Sequence, residues 1–286
     1  MKLSDFVVEP NSKVDLSKIK TDIPNQKITK EQCERILSKN IIKLSEIQEK
    51  LYADNKYALL LIFQGMDASG KDSLIKNVMS GLNPQGTQVF SFKEPSKEEL
   101  DHDYLWRIHK AVPERGRIGI FNRSHYEEVL IARVHNLISK QNIPPKLVSK
   151  NIWQQRFRQI NDFERYLFEN GTIILKFFLH ISPQEQKKRF LKRIEDQTKN
   201  WKFSIGDIKE RSFWNRYMIA YQEALSSTST KFAKWFIIPS DKKWYARAIV
   251  SEIIVQSLNK LKLHFPNVSA EQLDELKRAK EILLQE

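Results

Sequence analysis

Two glycines with four residues between them, Gly65 and Gly70, followed at once by Lys71, are residue types suited to chemistry on phosphate. Glycine lets the backbone turn successive N–H groups onto one anion, and lysine adds a mobile full charge. The stretch Gln64-Gly65-Met66-Asp67-Ala68-Ser69-Gly70-Lys71-Asp72 follows an apolar run, Ala58 to Phe63, and precedes Ser73 to Met79, whose spacing suits an amphipathic helix. Strand, glycine-rich turn and helix, in that order, make G-x-x-x-x-G-K a phosphate-binding loop. The helix adds its positive N-terminal end. A plain glycine turn beside a solvated lysine would have no need of this context. The hydroxyl residue that usually follows the lysine is here Asp72, and Asp67 puts another carboxylate inside the loop. Two acids on a phosphate cradle repel the ligand unless a cation stands between them. Bound Mg²⁺ is therefore expected, with Mn²⁺ as the alternative ion; Asp72 could equally serve the helix dipole.

A further group of candidates is Phe121-Asn122-Arg123-Ser124-His125-Tyr126-Glu127-Glu128. It follows the short apolar run Arg117 to Phe121, so it lies at the end of a strand. Phosphate-loop enzymes usually offer an aspartate to the metal at such a place. Asn122 can hold only a metal-bound water, whereas Glu127, one turn on, could take the acidic role or contact the acceptor. Arg123 is placed to grip phosphoryl oxygens with a planar guanidinium. Ser124 reads as a helix cap, and His125 as a packed residue, because transfer from an ionised phosphate needs no base. Lys93 ends another strand. Lys188, Arg189, Lys192 and Arg193 recur at spacings of three and four, on one face of a helix. With Lys202 and Arg211 they suggest a basic lid over residues 184–212 that closes on phosphates and excludes water. The histidines have no H-x-x-H or H-E-x-x-H spacing, which argues against a zinc site.

These residues need a scaffold of alternating elements. Met1 to Gln26 reads as an extended arm. Thr29 to Asp54 has helical spacing, and Thr29 with Gln32 forms a capping box. Strands are expected at Ala58 to Phe63, Thr87 to Phe92, Arg117 to Phe121, Thr172 to Leu179 and Trp235 to Pro239. Helices are expected at Glu98 to Ala111, Ser124 to Asn136, Pro144 to Asn170 (one helix or a pair), Gln184 to Asp196, Asp207 to Leu225, Trp244 to Lys262 and Ala270 to Leu284. This alternation implies an α/β fold with a five-stranded parallel sheet flanked by helices. In such sheets ligands gather at the carboxyl ends of the strands. We expect a single domain: an arm and helix (1–57), a core (58–262) containing the lid, and a C-terminal helix (263–286).

The 286 residues carry 48 Lys+Arg against 35 Asp+Glu, a net charge of +13. That balance attracts polyanions. The single cysteine, Cys33, excludes an internal disulfide framework and a multi-cysteine zinc site. Charge is scattered through Met1 to Ile19, unlike a secretory signal, and no apolar run approaches the ~20 residues of a membrane span. The cytoplasm is the expected location, with no membrane partner. A nucleic-acid-binding phosphate-loop protein would place exposed aromatics among the basic residues, whereas the six tryptophans fall mostly in amphipathic or strand contexts; no nucleic-acid partner is expected.

From about Val14 to Leu258 the chain resembles the family-2 polyphosphate kinases, through Leu61 to Asp72, Phe121 to Glu127, and Trp201-Lys202-Phe203-Ser204. The resemblance implies a thymidylate-kinase-like phosphate-loop fold with a helical lid, and Mg²⁺-dependent transfer between inorganic polyphosphate and nucleotides. The family's commoner second motif is Asp-Arg-Ser-Trp-Tyr-Asn-Arg. Asn122, His125 and Glu127 instead resemble the branch that accepts both nucleoside mono- and diphosphates. In the lid, Gln197 stands where a proline is frequent. On this resemblance Asp67, Lys71, Asn122, Arg123 and Glu127 are the catalytic set, with Asp67 and Glu127 on the metal. Gly65, Ala68, Ser69, Gly70, Asp72, Lys93, Arg133, Arg189, Arg193, Lys202 and Arg211 form the phosphate-binding set. AMP, ADP, ATP and polyphosphate are the implied partners, in a homodimer or homotetramer. An ATP-dependent nucleoside monophosphate kinase is the alternative.

Overall fold

The computed structural model describes residues 3–23 and 28–286. Ala58–Gln64 (β2) is buried along its whole length, as expected of the central strand of a sheet covered on both faces. Around it lie Val7–Val8 (β1), Thr87–Ser91 (β3), Ile118–Asn122 (β4), Thr172–His180 (β5) and Trp235–Pro239 (β6), in the order β1-β6-β5-β2-β4-β3. Strands β2 to β6 are parallel. The expected five-stranded sheet gains a sixth, antiparallel strand, because Val7 and Val8 from the arm pair with Phe236 and Trp235. Two consecutive valines were too short a signal for a strand, and the tertiary edge of β6 supplies the rest. The parts of the expected arm at Met1, Lys2, Pro24, Asn25 and Gln26 lie outside the described residues.

The helices are α1 (Lys30–Asp54), α2 (Lys71–Val78), α3 (Lys97–Leu100), α4 (Trp106–His109), α5 (Ile131–Val134), α6 (Ile152–Glu169), α7 (Pro183–Glu195), α8 (Ile205–Ser212), α9 (Trp214–Thr228), α10 (Lys243–Asn259) and α11 (Ala270–Gln285). The Thr29–Gln32 capping box opens α1. Several expected helices are broken. Between α3 and α4 the Asp103 side chain accepts the Leu105 N–H and competes with the helical backbone. Ser124 is extended, so the chain after β4 runs through a 3₁₀ turn, His125–Val129, before α5. The basic segment splits into α7, a 3₁₀ turn at Asn200–Lys202, and α8. α11 is exposed throughout and buries no side chain.

Two cores flank the sheet. One gathers Leu61, Phe63, Leu175 and Phe177 with α1, α2 and α10, and the other Leu60, Ile62, Ile174 and Phe178 with α6 and α9. Into the second core β5 sends Lys176, which is fully buried. Its Nζ donates to Glu164 Oε2 (2.6 Å), Tyr126 Oη (2.9 Å) and the Thr228 carbonyl (2.7 Å). Burial alone would raise the Glu164 carboxyl, but Lys176 and His125 hold it below the ordinary range. With every donor of Lys176 satisfied, the pair is tolerated; with one partner removed, a buried charge is stranded. We expect Lys176→Met to cost about 3–5 kcal/mol in urea unfolding, and the double change Lys176→Met with Glu164→Leu to recover more than half of it. A double variant as unstable as the single one would show that the loss is steric.

Candidate functional site

Because β4 leads across β2 to β5, the strand order reverses beside β2, and the crevice at its carboxyl end is where ligands collect. Gln64 closes β2 and the loop begins. Gly65 (φ 153°) has no room for a side chain, since a Cβ would stand 2.8 Å from the Leu179 carbonyl oxygen. Gly70 (φ 107°) makes the left-handed turn into α2, and Ala68 adopts φ 60° within the loop. Lys71 is buried and folds back, donating to the carbonyls of Gly65 (2.7 Å) and Met66 (3.3 Å). Burial, and then the Arg123 charge, bring its ammonium down to about 8.

Across the crevice, β4 ends in Asn122 and Arg123. Asn122 Nδ2 donates to Asp72 Oδ1 (2.8 Å). Arg123 has a left-handed backbone (φ 64°), costly for a side-chain-bearing residue and typical of functional sites. The Arg123 N–H bonds the Phe63 carbonyl at 3.0 Å, and Gln64 Nε2 donates to Ser124 Oγ at 3.1 Å, so the two strand ends are pinned together. The guanidinium donates to Asp67 Oδ1 (2.8 Å) and stands 3.9 Å from Glu127 Oε2. Burial pulls the Arg123 charge down, but Glu127 and Asp67 more than offset it, and the group stays fully protonated. Glu127 is pushed up by burial, against the pull of Arg123 and Lys71. The crevice thus brings together Asp67 and Lys71 from the loop with Arg123 and Glu127 from the end of β4. Among the described residues no cluster of three or more His, Cys, Asp or Glu could hold a metal by itself. Two carboxylates, Asp67 and Glu127, would suit a hard divalent cation that takes its remaining ligands from phosphate and water.

The basic residues of the expected lid diverge. Lys188 and Lys192 are exposed, whereas Arg189 is buried against the loop. Its Nη1 donates to the carbonyls of Ala68 (2.9 Å) and Ser69 (2.8 Å). Nη2 donates to the carbonyls of Ser240 (2.6 Å) and Asp241 (3.2 Å), and Nε to Glu185 (2.9 Å). A guanidinium has five N–H donors, and here protein oxygens take all of them. Arg189, expected to bind phosphate, instead fastens the loop in this structure. Arg211 likewise donates to the Pro183 carbonyl and Gln186 Oε1, and Gln186 Nε2 to the Asp67 carbonyl. Arg133 is engaged by both oxygens of Glu223. Arg193 lies over the Phe190 ring, and Lys93 and Lys202 are exposed. His125 is buried on Glu164 (3.3 Å), with burial lowering its basicity. Gln186 escaped the sequence reading, although Gln186, Arg189, Phe190 and Arg193 share the spacing of one helix face.

Beyond β4 lies a cavity of about 840 Å³, lined among others by Tyr104, Arg107, Ser124, His125, Glu128 and Arg156. Arg156 Nε bonds Glu128 at 2.9 Å on its wall. No helix among the described residues is long and apolar enough to cross a membrane.

The family model "Polyphosphate kinase 2 (PPK2)" matches residues 27–266. The chain is 47% identical to the ADP-polyphosphate phosphotransferase of Rhodopseudomonas palustris over 286 residues, covering 99% of each. It is 46% identical to the AMP/ADP-polyphosphate phosphotransferase of Meiothermus ruber over 224 residues, 78% of this chain and 80% of that one. Among solved structures, polyphosphate kinase 2 from Arthrobacter aurescens TC1 superposes with a TM-score of 0.88 at 39% identity, covering 97% of this chain and 95% of that one.

If Arg189 works by fastening the loop, its fork geometry matters more than its charge. Arg189→Lys keeps the charge but has only three donors on a flexible stem. We expect it to lower kcat on the order of tenfold or more, while the salt dependence of the donor KM stays as in the wild type. Wild-type kcat in the lysine variant would show that charge alone suffices.

Proposed function

Because the chain belongs to the polyphosphate kinase 2 family, we propose that it is a polyphosphate-dependent nucleotide phosphotransferase, transferring the terminal phosphoryl group of inorganic polyphosphate reversibly to AMP and ADP, with ADP and ATP as products. The observation that carries this reading is the Arg123 guanidinium between Asp67 and Glu127, directly across from the Lys71 loop. Phosphoryl transfer asks a protein for positioning and for charge stabilisation rather than covalent chemistry. The loop amides and Lys71 hold the terminal phosphates of the donor. Lys71 exchanges two backbone carbonyls for phosphate oxygens as it does so. An acceptor phosphate oxygen attacks the terminal phosphorus, the P–O–P bond breaks, and the shortened chain leaves as the anion. Arg123 stabilises charge on the equatorial oxygens. Asp67 and Glu127 would hold Mg²⁺, or Mn²⁺ in its place, which neutralises charge between donor and acceptor when bound.

The acceptor nucleoside belongs in the cavity beyond β4, whose volume suits a ligand of that size. Its wall mixes acids, Glu99, Asp101, Asp103 and Glu128, with bases, Arg107, Lys146, Arg156 and Arg158, and with the rings of His102 and Tyr104, a lining that suits the amino, hydroxyl and aromatic groups of a nucleoside. We assign the enzyme to the cytoplasm and to a homodimer or homotetramer.

Incubation with AMP, Mg²⁺ and polyphosphate, without ATP, should yield ADP and then ATP; no product would overturn the reading. Lys71→Ala should cost on the order of 10²–10³ in kcat while the melting temperature holds, and Asp67→Asn should raise the Mg²⁺ concentration needed for half-maximal rate. Near-normal turnover of the Lys71 variant would remove the loop from the mechanism. Glu127→Asn should lower kcat/KM for AMP more than for ADP, because the shorter acceptor depends more on an ion or water held there. An unchanged AMP-to-ADP ratio would reduce Glu127 to a local structural charge.

A further inference from the structure

The loop is braced from outside by Arg189, and Arg189 in turn rests on the Ser240 and Asp241 carbonyls that follow β6. Whatever fixes those two carbonyls is therefore part of the phosphate cradle. Both oxygens of the Asp241 carboxylate are engaged. Oδ1 accepts the Ser182 N–H at 2.8 Å, where α7 begins, and Oδ2 accepts the Thr21 hydroxyl at 2.7 Å. The Asp241 N–H donates to the Thr21 carbonyl at 3.0 Å, so one residue grips the arm with backbone and side chain together. Its negative charge also stands at the N-terminal end of α7, the end of a helix that favours an anion. Beside this joint His180 ends β5, with Nε2 3.2 Å from the carbonyls of both Leu16 and Ile19. The His180 carbonyl accepts the Ser240 N–H at 2.8 Å. Arm, β5, β6 and α7 thus meet at one turn, and Arg189 links that turn to the loop. The arm has another anchorage on α9, where the Val14 N–H donates to Ser226 Oγ at 2.9 Å.

We propose that Asp241 is a positioning residue for phosphoryl transfer: by clamping the arm at Thr21 to the start of α7, it aims the Ser240 and Asp241 carbonyls at Arg189 and makes the geometry of the phosphate loop depend on the docked arm. This rests on the phosphotransferase reading above. Asp241 touches neither donor nor acceptor, and its effect passes through Arg189. A loop displaced by a fraction of an ångström loses its alignment with the transferring group. AMP, seated beyond β4, does not rely on the clamp for its binding. The clamp therefore acts on turnover and leaves acceptor affinity alone.

The test compares Asp241→Ala, Asp241→Asn and Thr21→Val with Ser226→Ala, which loosens the arm at α9 instead. Each is measured for turnover of AMP with polyphosphate, for its urea midpoint and for hydrogen exchange of the loop amides. We expect Asp241→Ala to lower kcat about tenfold and Thr21→Val about threefold, with KM for AMP unchanged and loop exchange faster by similar factors. Asparagine keeps an acceptor for the Ser182 N–H and offers Thr21 an N–H, so Asp241→Asn should stay within about twofold of wild type. Ser226→Ala should lower the urea midpoint while kcat and loop exchange hold. Thr21 is partly exposed, so its variant keeps the test open if Asp241→Ala unfolds. Unchanged loop exchange in Asp241→Ala and Thr21→Val, or the same losses in Ser226→Ala, overturns the proposal, as does an asparagine variant as impaired as alanine. Wild-type protein that forms no ADP from AMP and polyphosphate would sink the functional reading instead, and loop exchange alone would then decide the clamp.

Discussion

Everything at this site depends on how the loop's carbonyls are held, because a backbone that offers N–H groups to an anion must turn carbonyls elsewhere. Carbonyls facing away from the ligand need donors, or they stay buried and unpaired. Arg189 meets that need for Ala68 and Ser69, and joins them to the end of β6 at Ser240 and Asp241. Gln186 does the same for Asp67, and is itself held by Arg211. The helix after β5 is thus the outer half of the phosphate cradle. A loop braced in this way loses little freedom when an anion arrives, and such preorganisation makes fixed donors effective in stabilising charge.

Within the crevice, the charges neutralise one another at rest. Arg123 answers Asp67 and Glu127, while Lys71 rests on its own loop's carbonyls. Substrate phosphates and a cation would exchange these internal partners for external ones, charge for charge. No charge need then be stranded in a poorly hydrated place, either before or after binding.

Sequence made the centre of this fold legible and left its margins obscure. The β2–loop–α2 unit was plain because its apolar run, two glycines and lysine agree on one local structure. Val7–Val8 could not be read, since two residues hold no period and their partner strand is remote. Lys176 looked like one more residue of an apolar strand, because its counter-ion Glu164 lies on another element and spacing does not announce it. The same limit governed Arg189. Helical periodicity placed it with Lys188, Lys192 and Arg193, but which face of α7 turns toward the loop is a tertiary fact. Composition records a charge without recording whether its donors are already used.

The arm has a consequence for the order of assembly. Val8 and Ser229, joined through the Val8 carbonyl and the Ser229 hydroxyl, are 221 residues apart, and β1 closes the β6 edge of the sheet. On a ribosome the arm emerges some 220 residues ahead of its docking strand. Closure of that edge must therefore follow the rest of the sheet, since so distant a contact carries a large loop entropy until the core has formed. For that interval β6 presents an unpaired, wholly buried-type edge, Trp235-Phe236-Ile237-Ile238-Pro239, of the kind that invites pairing with another chain. The yield of folded protein at high expression then depends on how promptly Val7 and Val8 find Phe236 and Trp235.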